Sequence, residues 1–253
     1  MKIIYCAYGR AGLECLYALL NNFNINSSNI IVFTHDRAEN NEFLRHLKSL
    51  RIDFYLDSVN NYYEQLSIFN ADILISAYYR NLIGNNIIEL VKGSAINLHP
   101  SILPKYRGAL SSVWAILNGE KFTGITIHYM TDKFDEGKII YQEKIPINKF
   151  DTAFSLYNKL VTLFAHRIPR VVNILLSGAP GDTQLGDASY YSRELPFNGI
   201  LHFSEVTYSE SERFVRALDF PPFEGAKFIS GNGDIIKVSN IDDLDQYRPQ
   251  MKK

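Results

Sequence analysis

In the first half of the chain, short apolar runs alternate with stretches whose apolar residues recur three and four positions apart. Ile3 to Tyr8 is a continuous apolar run closed by Gly9, the pattern of a buried strand. Leu13, Leu16, Tyr17 and Leu20 then follow at helical spacing. Ile30 to Thr34 predicts a second strand, and Phe43, Leu44, Leu47 and Leu50 a second helix. Asp53 to Leu56 reads as a short strand, Tyr62, Leu66 and Phe69 as a helix, Ile73 to Tyr78 as a strand and Asn86 to Val91 as a short helix. Ala95 to Leu98 is the next strand. This alternation predicts an α/β fold built on a mostly parallel sheet with helices on its faces.

Beyond residue 110 the pattern changes. Ser112 to Leu117 predicts a helix. Gly124 to Met130 and Lys138 to Ile147 predict two strands around the turn Asp132-Lys133-Phe134-Asp135-Glu136-Gly137. Asp151 or Thr152 can cap a long helix carrying Ala153, Leu156, Leu160, Leu163 and Phe164. Pro169 should kink or interrupt that helix, and Gly178 suits its C-terminal end. Residues 179 to 200, with Gly, Pro, Asp and Ser, read as loop. Leu201 to Thr207 predicts a strand, and Ser209-Glu210-Ser211-Glu212 a capping box leading into Phe214 to Leu218. Lys227 to Ser230 and Ile235 to Val238 flank Gly231-Asn232-Gly233-Asp234, a hairpin signal. The expected organisation is a main domain over residues 1–178 and an α+β appendage, ending in a β-hairpin, over 179–253. No internal repeat is visible.

The candidate chemistry lies where the fifth predicted strand ends. Asn97 and His99 stand two residues apart, so on a strand they share a face, and Pro100 stops normal pairing beyond them. Open α/β sheets bind ligands at strand ends of this kind. An amide donor beside an imidazole suits a reaction in which an oxyanion forms and a proton moves. Asp135 in the turn can orient the His99 ring and raise its pKa. Each feature alone has an ordinary structural reading, a capped strand end or a plain turn; their combination is more specific. Gly9-Arg10-Ala11-Gly12, with Asp36 after the second strand, hints at a dinucleotide site but lacks the Gly-x-Gly-x-x-Gly pattern. Those glycines fit a tight turn and close helix packing, and Arg10 can approach a phosphate at the helix start.

The stretch Asn97-Leu98-His99-Pro100-Ser101-Ile102-Leu103-Pro104-Lys105-Tyr106-Arg107-Gly108 resembles the signature of the 10-formyltetrahydrofolate-dependent formyltransferases. That family's catalytic Asn, His and Asp fall on Asn97, His99 and Asp135. Four further stretches are similar to the sugar N-formyltransferase branch, which includes the aminoarabinose-pathway domain. They are Ile31 to Asp36, Ser76 to Ile83 with its Tyr-Tyr-Arg, Tyr190 to Pro196, and Arg216 to Glu224. The resemblance implies a Rossmann-like domain, a 10-formyltetrahydrofolate donor and no metal. It implies a nucleotide-linked amino-deoxy sugar as acceptor, dTDP-4-amino-4,6-dideoxyglucose or a relative used in surface polysaccharide synthesis. Asn97 and protonated His99 would stabilise the oxyanion, with Asp135 supporting His99 and passing the proton on. It places the pterin pocket among Tyr78, Arg80, Leu82, Ile83, Asp132, Lys133 and Phe134. Substrate contacts are expected from Arg10, Ser101, Lys105, Tyr106, Arg107, Tyr190, Tyr191, Arg193 and Phe223. His128 is left open between site and solvent, and His35, His46, His166 and His202 are expected to be structural or solvated.

Composition narrows the rivals. The 253 residues carry 26 Lys and Arg against 27 Asp and Glu, so no large basic face for nucleic acid is expected. That balance and the short tail argue against a methionyl-tRNA formyltransferase. A purine-pathway formyltransferase would leave residues 200–253 unexplained, and a non-catalytic folate-binding protein would not need all three polar residues. Cys6 and Cys15 form no metal-ligand or disulfide pattern. No apolar run reaches membrane-span length and the start does not read as a signal peptide, so a cytoplasmic enzyme without membrane partners is expected. The hairpin tail is a surface that can pair two subunits into a homodimer.

Overall fold

The computed structural model describes residues 1–252. The chain opens with β1 (Ile3–Ala7), α1 (Gly9–Phe23), β2 (Ile30–Phe33), α2 (Asn41–Ser49), β3 (Asp53–Tyr55), α3 (Tyr63–Phe69), β4 (Ile73–Ala77), α4 (Asn85–Glu89) and β5 (Ala95–His99). β6 (Arg107–Gly108), α5 (Ser111–Leu117), β7 (Phe122–Tyr129), β8 (Ile139–Pro146), α6 (Ala153–Leu176) and β9 (Tyr190–Tyr191) follow. The last part holds β10 (Ile200–His202), α7 (Tyr208–Leu218), β11 (Ala226–Ile229), β12 (Ile235–Val238) and α8 (Ile241–Asp245).

Seven strands form the central sheet in the order β3-β2-β1-β4-β5-β7-β8. β1 to β5 pair in parallel, whereas β7 runs antiparallel to β5 and to β8. The chain order reverses direction between β1 and β4, as in doubly wound folds. One face is buried against α1, α2 and α6, through Ile3, Tyr5, Ile75, Leu98, Ile127, Leu16, Leu160 and Phe164. The other face has a smaller apolar cluster under α3 and α4, with Ile4, Cys6, Leu74, Leu66, Ile87, Ile83 and Ala95. Alternation along β5 puts Ile96 and Leu98 on the first face and sends Asn97 and His99 to the second.

The structure corrects several local expectations. α6 runs unbroken through Pro169, because Ile168, Val171 and Val172 on either side of it are fully buried. Its N-terminus is capped by Thr152, in a reciprocal pair with Ser155. α7 starts earlier than read, capped by Thr207 and Glu210 rather than by the Ser209 to Glu212 run. That start is the one that buries Ser211, Phe214, Val215 and Leu218 together. The strand expected from Leu201 to Thr207 is only Ile200–His202, since Phe203 turns inward to stack on Phe228. The predicted hairpin is present as β11 and β12, joined to β10 in a three-stranded sheet. Its aromatic core is continuous with the α1/α6 face, and Arg213 and Arg216 bond the carbonyls of Leu117 and Asp151.

Candidate active site

Asn97 and His99 stand on the second face of the sheet, beside β7. There the register sets Asn97 opposite His128 and His99 opposite Thr126. The signature loop folds over these residues. Ser101 donates its hydroxyl to the Lys105 carbonyl, and Thr126 donates to the Ser101 carbonyl. Gln142 bonds the Leu103 carbonyl. The loop therefore returns Gly108 to the site, where its N–H donates to Asp135 Oδ2 at 2.9 Å.

Asp135 is the centre of the cluster. It is 9% exposed and adopts a left-handed backbone, φ 55°. Its Oδ1 accepts from Asn97 Nδ2 at 3.2 Å and lies 3.4 Å from His128 Nε2. Its Oδ2 lies 3.4 Å from His99 Nδ1. Burial opposes ionisation of Asp135, but the facing imidazoles and the Gly108 N–H overrule it and hold the carboxyl well below the usual range. Burial pushes His99 below its ordinary value, against the pull of the Asp135 charge.

Hydrogen-bond directions fix the tautomers. His99 Nε2 is 2.7 Å from the Tyr106 carbonyl, so it carries a proton and donates. Nδ1 is then the His99 atom left to exchange a proton with Asp135 or a reactant. His128 Nδ1 likewise donates to the Tyr129 carbonyl at 2.8 Å, so Nε2 is its variable atom. Asn97 Nδ2 also lies 3.2 Å from His128 Nε2, so in this arrangement both Asn97 amide hydrogens are engaged. Donation to an oxyanion requires the release of one. His128, left open by sequence reading, faces the site and is 2% exposed. The only sequence signal for it was its cross-strand place beside Asn97, which needs the β5–β7 register.

The other expected residues divide. Asp132, Lys133 and Phe134 lie exposed on the Asp135 turn, and Leu82 is exposed on the loop after β4. Ile83 is buried in the second-face cluster, against which Met130 also packs. Tyr78 is not brought there. Its ring packs edge-on to Tyr157 and Phe164 of α6, on the opposite face, and its buried hydroxyl has no partner. Tyr106 contributes its backbone carbonyl, while its hydroxyl donates to Glu120 and its ring stacks on Tyr191. Tyr191 also packs on Trp114. Lys105 is exposed near Glu120, and Ser101 serves the loop itself. Arg107 pairs with Glu136, and Tyr190 donates to the Phe134 carbonyl. Arg10 is tied to Glu14 and Asn158, and Phe223 packs on Phe220.

A second cluster sits at the ends of β2 and β4. Arg193 donates to the Arg80 carbonyl at 2.8 Å, and the Arg80 guanidinium lies over the Tyr8 ring. His35 accepts from the Arg80 N–H at 3.1 Å and stacks on Tyr79. Burial and the charges of Arg80, Arg37 and Arg193 push His35 below its ordinary value. Burial and the other two arginines also lower Arg193. Among the described residues, none of Arg37, Arg80 and Arg193 meets a carboxylate within ion-pair distance. Sequence reading assigned no role to Arg37 and expected His35 to be structural or solvated, because nothing local marks a loop as facing two later arginines.

Known proteins resemble the chain in both sequence and fold. The sequence profile of the formyl transferase domain matches residues 26–172. A GDP-perosamine N-formyltransferase of Brucella melitensis is 38% identical over 257 residues, covering 99% of this chain and 96% of that protein. The bifunctional polymyxin resistance protein ArnA of Wigglesworthia glossinidia brevipalpis is 33% identical over 87% of this chain, which spans 35% of that protein. An N-formyltransferase from Helicobacter canadensis, solved with folinic acid and dTDP-3-aminofucose, superposes with a TM-score of 0.71 at 26% identity, over 87% of this chain and 81% of that one. By that family match and the relative spanning nearly the whole of both chains, this chain belongs to the formyl transferase family, among the sugar N-formyltransferases.

Proposed function

We propose that this enzyme transfers the formyl group of 10-formyltetrahydrofolate to the amine of a nucleotide-linked amino-deoxy sugar, GDP-perosamine or a close relative. The observation that carries the chemistry is the buried Asp135 carboxylate, shared by Asn97, His99 and His128 within 3.4 Å. The neutral amine attacks the formyl carbon, giving an oxyanion and an ammonium on one tetrahedral centre. Asn97 donates an amide hydrogen to the oxyanion, and protonated His99 adds positive charge beside it. As the carbon–nitrogen bond breaks, His99 Nδ1 gives its proton to the folate nitrogen and takes the ammonium proton in return, supported by Asp135. The products are a formamide and tetrahydrofolate, with no net proton change. The donor's ring is assigned to the opening between Leu82, Ile83 and the 132–134 turn, whose apolar side chains and backbone groups suit a flat, polar-edged ring.

The nucleotide's diphosphate is assigned to Arg37, Arg80 and Arg193. Three guanidiniums without carboxylate partners suit a dianion. Arg80 follows β4, the strand next to β5, so a sugar held there can reach the catalytic face. GDP is preferred to the dTDP expected from sequence because the relative spanning almost the whole chain acts on a GDP sugar. dTDP-4-amino-4,6-dideoxyglucose stays as the second acceptor, and surface polysaccharide as the destination. Assaying GDP-, dTDP- and UDP-linked amino sugars with 10-formyltetrahydrofolate decides the point. The highest kcat/KM is expected with the GDP sugar; a clear preference for the dTDP sugar overturns the nucleotide assignment. Arg80→Ala and Arg193→Ala should each raise the acceptor KM about tenfold or more, with a smaller effect on kcat.

A further inference from the structure

Residues 179–193 form a strap across the active-site loops, and one side chain on it has a directed bond for every polar hydrogen and for its oxygen. Gln184 Nε2 donates to the carbonyl of Asp135 at 2.7 Å and to that of Gly137 at 2.9 Å. Its Oε1 accepts from Arg107 Nη2 at 2.8 Å, and the other arm of Arg107 meets Glu136 at 3.1 Å. Asp135, Glu136 and Gly137 are thus each held, two by Gln184 and one through Arg107. We propose that Gln184 is a positioning residue for formyl transfer, fixing the backbone of Asp135 so that its carboxylate stays centred between Asn97, His99 and His128. This rests on the reaction proposed above.

Two observations separate this role from general support of the fold. The turn is a surface segment in which Asp132, Lys133, Phe134 and Glu136 are exposed while Asp135 and Gly137 are buried. Gln184 bonds the two residues that dip inward, and Asp135 holds a left-handed backbone that is uncommon outside glycine and needs its carbonyl kept in place. The strap has other anchors: Ile139 and Asp182 form a β-bridge, β6 pairs with β9, and Tyr106 N donates to Ser189 Oγ. Removing the Gln184 amide therefore leaves the strap attached and loosens the turn.

The test compares full-length wild type, Gln184→Leu, Asp135→Asn and the double variant. Gln184→Leu should lower kcat about tenfold or more with the KM of each substrate changed less than about threefold. Added to Asp135→Asn it should cost nothing further, because both act through one carboxylate. A substrate-free readout is the NMR titration of the His99 ring, which Asp135, His128 and Arg107 face. Its midpoint should move to lower pH in Gln184→Leu, as in Asp135→Asn. Losses that multiply in the double variant, or a His99 titration identical to wild type, overturn the proposal. If Gln184→Leu does not fold, Gln184→Glu serves: it keeps the size, loses both donated bonds and sets a carboxylate against two carbonyls. Should the wild type formylate no sugar nucleotide, the proposed reaction fails, whereas the His99 titration still decides the role of Gln184.

Discussion

At the scale of single residues, the site works by sharing one negative charge among three nitrogen-bearing side chains. His99 Nε2 is committed to the Tyr106 carbonyl, so its Nδ1 alone can take up or give a proton, and that atom faces Asp135. Burial already holds His99 below its ordinary value, and the Asp135 charge is what opposes this. Asp135→Asn removes that charge and lowers the His99 pKa further. Activity that needs imidazolium falls as pH rises through this pKa, so the alkaline limb of the kcat profile should shift to lower pH and turnover at neutral pH should drop. An unchanged profile means that another group partners His99. The meeting of Asn97, His99 and Asp135 was legible in the sequence because two of them are two residues apart on one strand and the third lies in a marked turn. His128 was not, because its approach depends on pairing across β5 and β7. Tyr78, expected beside Arg80 and Leu82, instead follows β4 with φ 61° and turns its ring to the α6 face, a direction that strand alternation does not set.

At the scale of elements, the turn from Thr131 to Gly137 is the least forgiving part of the site. A Cβ at Gly137 would collide with the carbonyl of Tyr129, a residue whose N–H donates to the Lys138 carbonyl just before β8. Gly137→Ala must therefore push the turn outward and carry Asp135 with it. A loss of about 1–3 kcal/mol in unfolding free energy is expected, together with a fall in kcat much larger than the change in acceptor KM. Denaturant unfolding and steady-state kinetics check both, and wild-type turnover in the alanine variant would contradict the coupling. The strands and helices of the first half were readable from periodicity because most of them, though not β3, bury one face or both. The errors fell where two signals of equal spacing competed, as at the start of α7, or where packing overrode propensity, as at Pro169.

At the scale of the whole molecule, the sheet packs one face on α1, α2 and α6 and carries the Asn97–His99–Asp135 cluster on the other, at β5 and β7. Among the described residues no helix is long and apolar enough to cross a membrane. The near balance of 26 basic and 27 acidic residues leaves no broad field for a polyanion, although Arg37, Arg80 and Arg193 concentrate charge locally. Such a surface should bind a diphosphate but not an RNA, whose affinity depends on many phosphate contacts. Formylation of charged initiator tRNA is accordingly expected to be negligible at low and physiological salt, and efficient salt-sensitive formylation would contradict that reading.

The most direct measurement incubates GDP-perosamine with 10-formyltetrahydrofolate and the purified chain, and follows the sugar nucleotide by mass spectrometry beside Asn97→Ala and His99→Asn. Wild type should add one formyl group to the amine and release tetrahydrofolate. The two variants should bind the sugar nucleotide with little change, while Asn97→Ala turns over about a hundredfold or more slowly through loss of an oxyanion donor. Formyl transfer at near wild-type rates in either variant would contradict the Asp135-centred site.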